Sequence, residues 1–208
     1  MKRVLFSSLV LLQLWGCKSN DNILQPKPHQ DFEDLHQQFH GKYKIVSAVS
    51  SDAIDVNMDG NATTDLISEI EVLTTGTITS PYSEIIINEP SGSKPNRKFL
   101  FVQAWPQQFV RLGGGKSWDG MEMIPFHADY TFAYDMKVVY RQFDFSPDLK
   151  QLIVVSGKEE DPVFSQSAPK HVLVLGDGRI EVVANRKIYT SNGVKQVIVT
   201  TTYERFTI

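Results

Sequence analysis

ADYTFAYDMKVVYRQFDF, Ala128–Phe145, decides the fold. Tyr130, Phe132, Tyr134, Met136, Val138 and Tyr140 share one parity, and Thr131, Ala133, Asp135, Lys137 and Arg141 the other. Successive side chains of an extended chain point to opposite faces, so this alternation marks a strand with one face in a core and one in water. A helix would repeat its apolar positions every three or four residues instead. The aromatic stripe is the inward face, and Tyr130, Phe132, Tyr134 and Tyr140 are its core-forming or pocket-lining residues.

The same signature continues on both sides. KQLIVVSG, HVLVL, RIEVVANRKIYT and VKQVIVTTTYERF follow as apolar, β-branched runs, the last three separated by Gly176-Asp177-Gly178 and Ser191-Asn192-Gly193. Asn-Gly between two such runs is a strong hairpin signal, because a type I′ turn needs positive φ at both central residues. Upstream, KYKIVSAVS is a strand, and Thr74–Thr79, Ser83–Asn88 and Lys98–Ala104 are shorter runs divided by Pro81, Pro90 and Pro95. Helical periodicity is confined to DFEDLHQQFHGKY, with Phe32, Leu35, Phe39 and Tyr43 in phase, and to TTDLISEIEVL, with Thr64 as an N-cap. Many short strands on short turns predict an all-β antiparallel barrel or sandwich with a short N-terminal helix.

The chain has 208 residues, 41% hydrophobic and 22% charged, as expected of one domain with a sizeable core. Its net charge of -3 provides no basic footprint for nucleic acid.

The N-terminus is a targeting segment: MKR is basic and VLFSSLVLLQLW apolar, too short to span a bilayer comfortably. Leu14-Trp15-Gly16-Cys17 ends it and resembles the lipobox of bacterial lipoproteins. That resemblance implies cleavage before Cys17 and acylation of its sulfur and amino group with diacylglycerol and a palmitate-like chain. Several acyl chains anchor firmly, each buried CH2 contributing about 0.8 kcal/mol. Cys17 is the single cysteine, so no disulfide accompanies export. Removal of residues 1–16 takes Lys2 and Arg3 and leaves 19 basic against 24 acidic residues, a net charge of -5. Residues 17–30 read as a flexible tether. By resemblance to other lipoproteins, Lys18 after the cysteine favours the outer membrane. The organisation expected is a signal peptide over 1–16, a tether over 17–30 and a β-domain over 31–208.

The order of parts in that domain resembles bacterial lipocalin-like lipoproteins: a helical segment, the Gly41-Lys42-Tyr43 opening of the first strand, a loop, a run of antiparallel strands and a closing TTTYERFTI with its aromatic and Arg. The resemblance implies an up-and-down barrel holding a small apolar or amphipathic ligand, and eight strands leave room for one.

The loop DVNMDGNATTDL, Asp55–Leu66, carries side-chain oxygens at alternate positions and Gly60 at the sixth. Ca2+ takes six to eight oxygens, and Asp55, Asn57, Asp59, the Asn61 carbonyl and Asp65 are its candidate ligands. The bidentate Glu of an EF-hand is missing, since Leu66 stands at position twelve and a strand precedes the loop. An Asx-rich turn is the other reading.

Nothing else in the chain points to chemistry. LGGGKSWDG lacks the glycine a P-loop requires, because Val110 occupies its position, and Trp118 reads as a packed loop residue. His36 and His40 share a helical face without an HExxH motif, and no G-x-S-x-G is present. The leading expectation is a non-catalytic, lipid-anchored ligand carrier. The alternative is a structural or interaction lipoprotein with a filled core and an exposed apolar patch. An enzyme built around His127, Asp129 and Asp135 comes third.

Overall fold

The computed structural model describes residues 32–75, 84–88, 98–155, 157 and 160–207. The signal peptide, Cys17 and the tether lie outside them. The elements run α1 (Phe32–Phe39), β1 (Gly41–Ile54), β2 (Thr63–Asp65), α2 (Leu66–Glu69), α3 (Val72–Thr75), β3 (Glu84–Asn88), β4 (Phe99–Gly113), β5 (Lys116–Ser117), β6 (Thr131–Phe145), β7 (Leu152–Val155), α4 (Pro162–Gln166), β8 (Pro169–Val174), β9 (Ile180–Thr190) and β10 (Gly193–Thr207).

Eight strands form an antiparallel up-and-down barrel in the order β7-β6-β4-β3-β1-β10-β9-β8, with β2 and β5 as short additions on β1 and β4. The β7 and β8 edges meet at the Gln151–Leu173 bridge and the bond from Val174 N–H to the Lys150 carbonyl (2.9 Å), nearly closing the barrel. The all-β expectation holds.

One end is sealed by α1. Phe32 stacks on Phe99 with centroids 4.3 Å apart, and Phe39 packs on Phe145 at 4.7 Å. The last carbonyls of a helix lack intrahelical partners. Here the Tyr43 hydroxyl donates to the Phe39 carbonyl (2.7 Å) and Arg205 Nη1 to that of Gln38 (2.9 Å). The Gly-x-Tyr opening and the closing Arg therefore meet over the helix end. Tyr43, in phase with the helix, lies in β1 as the strand KYKIVSAVS predicts, because Gly41 breaks the helix at φ +138°, and a Cβ there would stand 2.4 Å from the Thr207 carbonyl oxygen.

Other boundaries also differ from expectation. Asp65, not Thr64, caps α2, its carboxylate accepting from Ile67 N–H. Thr74 and Thr75 end a helical turn rather than opening a strand; residues 76–79 of that run are outside the described residues. β4 continues through Pro106, which lies beyond the described β3 ladder ending at Gln103, where a missing N–H takes nothing from that ladder.

The strand that decided the fold carries one correction. β4 and β6 pair without a slip from Phe99–Phe143 to Arg111–Thr131. Yet the core-facing positions are Phe99, Phe101, Gln103 and Trp105 before Pro106, with Val102 and Ala104 of the other parity also buried, and Gln108 and Val110 after it. β6 changes parity opposite: Arg141 and Phe143 are buried at one end, while Phe132 and Tyr134 are the shielded residues at the other. Tyr140 and Val138 consequently face solvent, Tyr140 at 67% exposure, and Arg141 is inside. A single period-2 stripe, carried through a position where both strands change phase, put them on the wrong face.

The interior has a large apolar cluster at the α1 end, including Tyr43, Phe101, Phe143, Leu152 and Tyr203. A smaller one joins Val110, Trp118, Tyr189 and Val194, with Tyr130 and Phe132 against it. Gly193 serves both turn and packing: φ is +85°, and a Cβ would lie 2.6 Å from the Ile124 carbonyl oxygen and 2.9 Å from Phe126 N. Gly193→Ala should lower stability by roughly 1–3 kcal/mol, read as a shifted urea midpoint. Gly176→Ala, where φ is ordinary and no atom lies within 4 Å, should leave the midpoint nearly unchanged.

Candidate functional site

Between the two apolar clusters the barrel wall turns polar. Along β4, Gln103, Trp105 and Gln108 separate Phe101 from Val110; along β6, Arg141 and Tyr134 lie between Phe143 and Phe132; along β9, Arg186 follows Val182 and Ala184. Trp105, Gln108, Tyr134 and Arg186 among them line a cavity of about 320 Å3, together with Ile70 and Ile188. Its rim is completed by Gly120 and by Ser165–Ser167 at the end of α4. A void of about 20 Å3 continues from Arg186 to Arg141.

The polar groups are held by specific bonds. Gln108 reads the β9 backbone on both sides: its Oε1 accepts from Tyr189 N–H (2.7 Å) and its Nε2 donates to the Tyr189 carbonyl (3.0 Å). Arg141, 3% exposed, pairs with Glu160 and donates to the Phe164 carbonyl (3.1 Å), which ties α4 to the barrel. Burial raises the Tyr134 phenol well above its ordinary range, with the Glu69 carboxylate adding to the rise and a Gln108 hydrogen bond opposing it. Burial likewise raises the Tyr203 phenol, partly offset by Gln103 and Arg186. Both hydroxyls stay protonated at neutral pH and can donate.

Of the four aromatic residues expected to line a pocket, Tyr134 does so. Tyr130 and Phe132 pack into the smaller cluster around Tyr189, with centroids 6.3 and 6.4 Å from its ring. Tyr140 lies on the outer face. Trp105, Arg141 and Arg186 were missed. Their signal was present: Arg186 continues the parity of Ile180, Val182, Ala184 and Ile188, a charged residue in an apolar phase.

The Asp55–Asp65 loop closes on its own backbone. Asp55 Oδ1 and Oδ2 accept from Asp59 and Gly60 N–H (3.1 Å each), Asn57 Oδ1 from Asp59 N–H (3.0 Å), and Asp59 Oδ1 from Asn61 N–H (2.8 Å). Glu69, buried, accepts from Val56 N–H (2.7 Å) and Asn57 N–H (3.2 Å). Asp65, placed by its spacing among the calcium ligands, is turned to the start of α2 (3.1 Å to Ile67 N). Among the described residues no three His, Cys, Asp or Glu side chains are grouped to hold a metal ion. Asp55, Asn57, Asp59 and Asn61 therefore form a stack of Asx turns, with Asp65 apart from it.

His36, His40 and His127 are similarly engaged. His36 and His40 stack with centroids 4.3 Å apart, and the His40 Nδ1 meets the His36 carbonyl at 2.8 Å. His127 and Asp129 sit together in an exposed turn (3.7 Å), while Asp135 pairs with Lys137. Trp118 is packed, its indole N–H donating to the Glu122 carbonyl (2.9 Å).

No protein-family model, no curated protein and no solved structure matches the chain. The site has to be understood from its own geometry.

Asp55→Ala removes the acceptor of two backbone N–H groups and should cost roughly 1.5–3 kcal/mol of stability. Asp65→Ala, a lost N-cap, should cost about 1 kcal/mol. Melts of the wild type in millimolar Ca2+ and in chelator should coincide if the loop is only an Asx-turn stack; a calcium-dependent rise lost in Asp55→Ala would establish ion binding.

Proposed function

We propose that this is a lipid-anchored protein of the bacterial cell envelope, held at the outer membrane through Cys17, whose barrel carries a small amphipathic molecule without transforming it. The observation that carries the binding half is the cavity of about 320 Å3 inside the barrel, with Trp105, Tyr134 and Ile188 beside Gln108 and Arg186. Ligand cavities of about 300–1,000 Å3 combine apolar surface with a few fixed polar groups in this way. The lining is more polar than a carrier of purely apolar molecules would need, which favours an amphipathic cargo. The anchoring half rests on residues 2–17: a basic start, an apolar run and the cysteine.

A second reading, presentation of a surface to another envelope protein, draws on the outer barrel face. There Val138, Tyr140 and Val155 stand 43%, 67% and 56% exposed on β6 and β7.

Two measurements check these statements. A clickable palmitate analogue should label the full chain in cells, and Cys17→Ser should abolish the labelling. Native mass spectrometry of the full chain in nanodiscs should show a retained small molecule, lost when Ala184→Trp fills the interior. An empty barrel that co-purifies with one envelope protein would favour the second reading.

A further inference from the structure

The polar middle of the barrel contains a cation with no anionic partner. Arg186 projects inward from β9 between Ala184 and Ile188, both buried. Its guanidinium carbon lies 4.3 Å from the centroid of the Trp105 ring. Among the described residues no carboxylate is within ion-pair distance of it, and its buried Nε has no hydrogen-bond partner.

Arg141 provides the contrast within the same interior. It is 3% exposed where Arg186 is half-buried, and although its Nε also lacks a partner, it is neutralised by Glu160 and bonded to a carbonyl. The fold thus supplies an anion to one interior guanidinium and withholds it from the other. Burial draws the Arg186 guanidinium down from its ordinary range to about 10, with Tyr203 acting in the opposite sense and the positive charge of Arg141 adding to the fall. Arg186 is therefore still a cation at neutral pH. A buried charge is costly unless it is paired and hydrogen-bonded. An aromatic face compensates only part of that cost, since it leaves the in-plane N–H groups unused.

The cavity lies where those groups are. Arg186 and Trp105 are both in its wall, and among the described residues that line it none is Asp or Glu. Glu69, which influences Tyr134, is committed to the Val56 and Asn57 amides. Lys187 at the cavity edge donates to the Met121 carbonyl and is also committed. A planar guanidinium stacked on one face matches a carboxylate in two parallel N–H···O bonds.

We propose that the cavity takes a small organic acid, its carboxylate bound edge-on by Arg186 and its apolar body against Ile70 and Ile188. The proposal rests on the ligand-binding reading above and adds the charge and size of the cargo. The volume suits a short-chain or single-ring acid and excludes a two-chain lipid.

Titration calorimetry of the full chain in nanodiscs tests it, with hexanoate and hexanamide as probes that share a body and differ in head charge. Wild type should bind hexanoate at least tenfold more tightly than hexanamide. Arg186→Gln should abolish that preference, and Arg186→Lys should retain part of it. The wild-type comparison stands even if Arg186→Gln fails to fold. Equal affinity for the two probes, no hexanoate binding at millimolar concentration, or an undiminished preference in folded Arg186→Gln would each overturn the proposal. If native mass spectrometry then shows a neutral molecule in the barrel, the carrier reading survives and the acid preference alone falls. An empty barrel removes both.

Discussion

Pairing of β1 with β10 joins the two ends of the folded chain, and the rest of the structure depends on it. Lys42 faces Thr207 and Ser50 faces Val199, so contacts over more than 140 residues of sequence must form before the interior is enclosed. The entropy of closing such a loop grows only slowly with its length, but no local contact rewards it in advance. The compensation comes from apolar burial that exists only once the barrel is closed: Tyr43 and Ile45 on β1, Val197, Val199 and Tyr203 on β10. The same closure brings Arg205 over α1, so sealing the end of the barrel and joining its edges are one event.

Closure also creates a problem for the polar side chains it encloses. Gln103, Gln108 and Arg141 are buried by strand parity, and Arg186 is half-buried beside them. Gln108 and Arg141 are answered by the backbone of β9, by Glu160 and by α4. The segment Glu160–Ser167 therefore does more than connect two strands, since it carries the counter-charge that lets Arg141 sit in the wall. The apolar clusters on either side hold the strands in register, leaving the polar band between them to shape the cavity.

Much of this was legible in the sequence because the strands alternate and the turns name themselves. Asn192-Gly193 and Gly176-Asp177-Gly178 mark the C-terminal meander, and Gly41-Lys42-Tyr43 with Arg205 marks the closed end. The site was less legible. Tyr130, Phe132, Tyr134 and Tyr140 form one stripe on paper, but the phase change near Pro106 divides them among a cluster, a cavity wall and the outer surface. Periodicity has no means of registering a bend shared by two paired strands. Arg186 and Arg141 were overlooked for the opposite reason: a charge in an apolar phase looks like noise until its partners, distant in sequence, are known. Asp65 shows the limit of spacing, since a carboxylate at a suggestive offset serves the nearest helix start instead.

The stacking of Arg186 on Trp105 has an optical consequence. Of the three tryptophans, Trp15 is outside the described residues, and Trp118 is locked by its bond to Glu122 and is not among the cavity-lining residues. Among the described residues, Trp105 is the tryptophan that borders the cavity. The fold thus places an intrinsic fluorophore in the cavity wall, where its emission would change with anything that entered.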